Sequence, residues 1–283
     1  MTSRLEAVSM LGKRRSTSLE VTLSATCAAL YAMGSYLTAY TSSPWGSGQF
    51  RPAVVIPAVF STLFGPWIGG VGAAVGTLIA DSAKHGFPYI PSLVAAVPGN
   101  FIGWYLFGLL MKKEFSWERF IKNSQITLFI ANVITAFAYV YYRTFVEGIF
   151  PAFREVWVYV SLGFVAWWYV TMLPFVLLVG PPLIRAVASA FPGLAAEKIR
   201  SSPLKNEISR KAFSSAMMRP GLFMLLIGII IAFTDPQRIL DLRIAQSEEV
   251  LRGMKIMFLS SGIVLLILGI VVLMARKLAK TDK

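Results

Sequence analysis

The sequence predicts an all-α, polytopic helical membrane protein. Three observations carry that prediction. The chain of 283 residues is 56% hydrophobic and only 14% charged, against roughly 25% charged in soluble domains. Its mean hydropathy is +0.65. Apolar stretches of about 20 residues recur, the length that crosses ~30 Å of hydrocarbon.

The elements are read in order. A first span covers Leu19–Tyr40. The run from Arg51 to Asp81 has no ionisable group between its ends and is too long for one span. Gly65-Pro66 divides it into two short helices, about Pro52–Phe64 and Pro66–Ala83. A proline in the first turn forfeits no helical hydrogen bond, so Pro52 and Pro66 mark helix starts. Pro57 falls inside the second span, where it favours a kink. The remaining spans are Pro91–Met111, Ser124–Val146, Val156–Val179, Gly221–Thr234 and Ile256–Ala275. They divide the chain into a basic N-terminal segment 1–18, a six-helix core 19–190, a basic linker 191–219 and a two-helix hairpin with tail 220–283.

The net charge of +13 follows this map. With both termini in the cytoplasm, 19 of the 27 basic residues fall inside and 8 outside, as the positive-inside rule requires of an even number of spans. The charge therefore serves topology and anionic membrane lipids. A nucleic-acid partner is not expected. The N-terminal segment is polar and no A-x-A-like site follows the first apolar run, so no cleavable signal peptide is expected. The one cysteine, Cys27, excludes an intramolecular disulfide and reads as a packing residue.

Gly65, Gly69, Gly72 and Gly76 give two overlapping G-x-x-x-G patterns on the third span, the spacing at which helix backbones approach closely in lipid. The first span carries small residues in two registers, Ala25-x-x-x-Ala29 and Ala28-x-x-x-Ala32.

In their order and spacing, "ATCAALYAMGSYL", "RPAVVIPAVFSTLFGPWIGGVGAAVGTLIAD" and "PSLVAAVPGNFIGWYLFGLL" resemble the substrate-binding S component of an energy-coupling factor (ECF) vitamin transporter. The resemblance covers about residues 18–190. It implies a six-helix receptor in the plasma membrane for a vitamin-like or heterocyclic small molecule. It also implies a coupling transmembrane subunit driven by cytoplasmic ATPases. The first-helix residues Ala25, Ala28, Ala29 and Ala32 would form the coupling interface. The stretch Leu194–Lys283 departs from the family pattern, which ends after six helices.

Catalytic sets are missing from the sequence. One histidine rules out His-rich metal sites, and neither G-x-S-x-G nor G-x-x-x-x-G-K-[ST] occurs. No cofactor, metal or enzymatic activity is expected. Polar and aromatic groups gather instead at the outer helix ends, as a small organic ligand requires. Trp45, Gln49 and Arg51 lie in or beside the first outer loop, whose Gly, Ser and Pro content suits a lid over residues 41–50. Asp81, Lys84 and His85 end the third span, and Tyr139 and Arg143 end the fifth. Asn100 lies well inside the fourth span and Trp167 and Trp168 well inside the sixth.

Several of these residues have an alternative reading. Arg51 begins a helix whose positive dipole end disfavours a cation, so it needs Asp81 or a ligand anion. Asp81 and Lys84 are placed to pair with each other. His85 reads as a loop residue as readily as a ligand contact. Asn100 needs a neighbouring helix or a substrate, and Asn132 reads as a helix–helix tie. A structural or regulatory membrane protein, with the hairpin as interaction module, is the alternative for the whole chain.

Overall fold

The computed structural model describes residues 16–45, 47–113, 115–202, 209–241, 245 and 247–281. Most of the N-terminal segment, Gly46 of the outer loop and the middle of the basic linker lie outside the described residues. Among the described residues the architecture is helical, and the one β feature is an isolated bridge between Ser42 and Gln49.

The core begins with α1 (Thr17–Thr38), capped by the Ser16 hydroxyl accepting from the Leu19 amide at 3.3 Å. A 3-10 turn over Pro52–Val54 leads into α2 (Val55–Phe64), and α3 (Pro66–His85) follows at once. Pro52 and Pro66 both occupy helix first turns. A π turn over Ser92–Ala96 precedes α4 (Val97–Lys113). Then comes α5 (Trp117–Tyr141), with Ser116 as N-cap and a π turn over Tyr142–Val146 at its outer end. The long α6 (Trp157–Ala190) closes the core. Beyond it lie a short α7 (Glu197–Ser201), then α8 (Arg210–Phe233), α9 (Pro236–Asp241) and α10 (Glu248–Thr281).

Among the described residues five helical stretches are long and apolar enough to cross a membrane: Ser92–Lys113, Trp117–Val146, Trp157–Ala190, Arg210–Phe233 and Glu248–Met274. The other three expected spans differ in kind. Pro52–Phe64 is a short apolar helix, while α1 and α3 are diluted by Ser, Thr, Gly and Ala. That composition serves close packing. A Cβ at Gly72 would sit 2.5 Å from Cys27 Sγ, and one at Gly76 would sit 2.7 Å from the Ala28 carbonyl oxygen. The glycines of α3 thus admit α1 at backbone range, and Cys27 is fully buried in that seam. Gly69 faces Ser61 of α2. Gly65 has another role. Nothing lies near its Cβ position and its φ is +105°, so it makes the α2–α3 turn, which a residue with a side chain would strain.

Several helices, α5, α6, α8 and α10, run beyond their expected spans. α6 continues through Pro181 and Pro182 to Ala190. Ile184 and Ala188 remain buried there, and Arg185 Nη1 donates to the Ile199 carbonyl at 3.2 Å. At 1.5 Å per residue this helix is about 51 Å long, so it extends past the hydrocarbon. α8 begins at Arg210, not Gly221, because Phe213, Ala216 and Met217 already pack inward. Apolar content marks where lipid begins; burial and capping decide where the helix ends.

Candidate functional site

At one end of the core a cavity of about 240 Å³ opens between the helices. Its floor is fixed by a buried ion pair. Arg51, just before the 3-10 turn, donates to Asp81 on α3, to the Thr77 hydroxyl and, at 3.2 Å, to Gln49 Oε1. Asp81 also accepts from Ser92 Oγ at 2.6 Å. Arg51 and Asp81 are 7% and 3% exposed, a depth at which an unpaired charge is expensive. Arg51 is therefore satisfied within the protein, and the choice left open by the sequence resolves to Asp81.

Lys84 does not pair with Asp81. Its ammonium donates to the Ala39 carbonyl at 2.7 Å, at the C-terminal end of α1, where a cation suits the helix dipole. His85 Nδ1 lies 2.7 Å from the Asp81 carbonyl oxygen. Its ring stacks flat on Tyr89, with centroids 3.7 Å apart and planes 1° off parallel. Arg143 is paired with Glu147 at 2.6 Å and lies over the Phe150 ring at 5.1 Å.

The 41–50 loop lies over the cavity as a short, bonded hairpin. The Phe50 amide donates to the Thr41 carbonyl at 2.8 Å and the Ser43 amide to the Gly48 carbonyl at 2.9 Å. Trp168 Nε1 donates to the Gln49 carbonyl at 3.1 Å, which fastens the loop to α6. Ser47 Oγ and Tyr139 OH lie 2.5 Å apart, which fastens it to α5. Trp45 is tucked against Phe164, with ring centroids 5.3 Å apart, and Phe164 continues to Trp168 at 5.4 Å. Close approach again needs a glycine: a Cβ at Gly163 would meet the Trp45 ring at 2.6 Å.

The remaining wall is neutral and polar. Asn100 accepts from Tyr31 OH at 3.4 Å and donates to the Ala96 carbonyl at 2.8 Å. Among the described residues Asn132 Nδ2, Trp45 Nε1 and Arg143 Nε are buried donors with no acceptor, and all three residues line the cavity. Burial and the neighbouring Tyr139 phenol push the Tyr89 hydroxyl up from its ordinary pKa, so it stays a proton donor. Tyr89 OH lies 3.4 Å from Tyr139 OH. The site is thus a ring-walled chamber with surplus neutral donors from Asn132 and Trp45, in which Arg51, Lys84 and Arg143 each have a partner and Arg143 keeps Nε unpaired.

All the sequence-expected pocket residues line this cavity except Trp167, which packs partly buried against the core with its indole N–H unpartnered. Ser47, Tyr89, Ser92, Thr135 and Phe150 line it too without having been singled out. Asn132, expected as a helix–helix tie, lines it as well, with Nδ2 unpartnered among the described residues. The first-helix stripe divides: Ala28 and Ala32 are buried on the inner face, while Ala25 and Ala29 are exposed.

The family model for the ECF-type riboflavin transporter, S component, matches residues 16–189. This chain belongs to that family. No curated protein and no solved structure matches it. The S component is a multi-pass plasma-membrane protein and the substrate-binding part of a vitamin transporter, a class of transport proteins and not of enzymes. S components of this kind bind small-molecule substrates and partner with a module of ATPases and a transmembrane subunit. The match ends one residue short of the end of α6, so the α8–α10 hairpin lies outside the matched stretch.

Proposed function

We propose that this S component binds riboflavin, or a closely related uncharged flavin, from the outer face and releases it through an ATP-driven coupling module. The observation that carries this reading is a coincidence of position. Every residue lining the cavity, from Trp45 to Met172, falls within the stretch matched by the riboflavin-transporter family.

The chemistry agrees. Riboflavin joins a flat three-ring system, rich in carbonyl and ring-nitrogen acceptors, to a polar ribityl chain. Trp45, Tyr89, Tyr139 and Trp168 supply ring surfaces, and Asn132 and Trp45 supply donors in need of acceptors. The lining cations are engaged by Asp81, the Ala39 carbonyl and Glu147, which favours a neutral ligand over an anionic one. The 240 Å³ cavity is just below the roughly 300–1,000 Å³ of typical small-molecule pockets. Entry therefore requires the 41–50 loop to lift, and closure would follow binding.

In this reading the chain crosses the membrane eight times with both termini cytoplasmic, and the exposed Ala25 and Ala29 of α1 meet the coupling subunit. Purification of the full chain from riboflavin-supplied cells, followed by denaturation and mass spectrometry of the released fraction, tests the substrate. A flavin at up to one per protein is expected. A different heterocycle would overturn the flavin assignment, and no retained molecule at all would contradict a tight receptor.

A further inference from the structure

Between the core and the hairpin runs a second, larger recess of about 720 Å³. Its origin lies in how the hairpin uses its glycines. A Cβ at Gly221 would lie 3.1 Å from the Gly262 carbonyl oxygen, and one at Gly228 would lie 2.9 Å from the Leu259 amide nitrogen. The small residues of α8 are thus spent on the seam with α10. Toward α5 and α6 the hairpin presents Phe223 and Ile227, which hold the two bodies apart. The groove they leave is walled by Phe129, Leu162 and Phe258 on its other sides.

The polar groups of this groove are unevenly placed. Arg219 and Gln125 line it on the inner parts of α8 and α5, and Trp45 and Tyr159 line its outer end. Arg219 is exposed. Among the described residues it has no acidic partner and no hydrogen bond. Arg219 lies two residues before the apolar run that begins at Gly221, where its long side chain can reach the inner headgroup level. From Arg219 to Ile231 the α8 wall runs about 18 Å at 1.5 Å per residue.

We propose that this groove is a binding site for an anionic phospholipid of the inner leaflet, with an acyl chain along Phe223 and Ile227 and its phosphate on Arg219. The wall is apolar, and the free cation sits where the headgroup lies. The acyl chain ends near Trp45, which lines both this groove and the outer cavity. The lipid would therefore brace the loop that covers the site.

The test is a lipid titration of the full chain in neutral detergent, read as thermal protection and as lipid retained in native mass spectrometry. Phosphatidylglycerol should bind one per protein, about fivefold tighter than phosphatidylcholine, the effect of one basic residue on an anionic surface. Arg219→Gln should erase that preference. Ile227→Trp should abolish retention of both lipids by filling the groove. Ala166→Leu, on the facing wall, serves if Ile227→Trp does not fold. Glycerol 3-phosphate alone should protect nothing. Equal binding of the two phospholipids, a preference that survives Arg219→Gln, retention that survives groove filling, or protection by glycerol 3-phosphate would each overturn the proposal.

Discussion

Arg51 and Asp81 show how a charge can sit inside this bundle without serving as a ligand anchor. Their pair is buried and fully bonded, with Thr77, Gln49 and Ser92 completing it. Arg51→Ala should therefore act first on stability, by about 3–5 kcal/mol, because it strands a buried carboxylate. Thermal unfolding in detergent checks this, and Arg51→Met with Asp81→Leu should recover much of the loss. Asn132→Ala should behave the other way. Its free amide points to ligand bonding, so affinity should fall by about 1–3 kcal/mol, roughly 5- to 150-fold, with little change in melting temperature. The sequence made both residues visible and ranked them imperfectly. Depth within a span reveals that Asn100 and Asn132 are buried, but not which way either faces. Tyr89 stayed hidden because it lies in the short link before the fourth span, and Ser92, at the start of that span, carries neither charge nor ring to mark it.

The helices of the core were legible nearly to the residue where proline or glycine punctuates them, as at Pro52, Pro66 and Gly65. They were least legible where packing carries a helix past its apolar stretch, as α6 shows beyond Pro182. On α1 the two alanine registers looked equivalent, yet only one is free. Ala28 touches α3 and Ala29 is exposed. Ala28→Trp should therefore unfold the protein or lower its melting temperature strongly, since overpacking typically costs about 1–3 kcal/mol. Ala29→Trp should leave folding and ligand binding intact and block uptake in cells that contain the coupling module. Equal loss of binding and uptake in Ala29→Trp would mean that this face also belongs to the interior of the S component.

For the whole molecule, the family match ends at residue 189 and the α8–α10 hairpin lies beyond it. The hairpin touches the core through α8 and through Gly253 of α10, where a Cβ would lie 3.2 Å from Pro44 Cβ of the covering loop. A chain ending near Phe191 should still insert and bind ligand, because no cavity-lining residue lies beyond Met172. Ligand should leave it faster, which a dissociation time course would read. Orientation is tested in a Cys27→Ala background with single cysteines at Ser42, Ser116, Ser202 and Ser247, because Ser43 of the same loop is buried. Labelling from outside is expected only at Ser42 and Ser247. The central claim, an outward-facing site for a neutral flavin, is met most directly by one titration. Riboflavin and its 5′-phosphate are added in turn to the purified chain, with tryptophan fluorescence as the readout, since Trp45 and Trp168 line the cavity. The account predicts saturable quenching at one riboflavin per protein, with the phosphate ester at least about tenfold weaker, because an unpaired phosphate would have to be desolvated. No saturable response to riboflavin, or tighter binding of the phosphate ester, would contradict it.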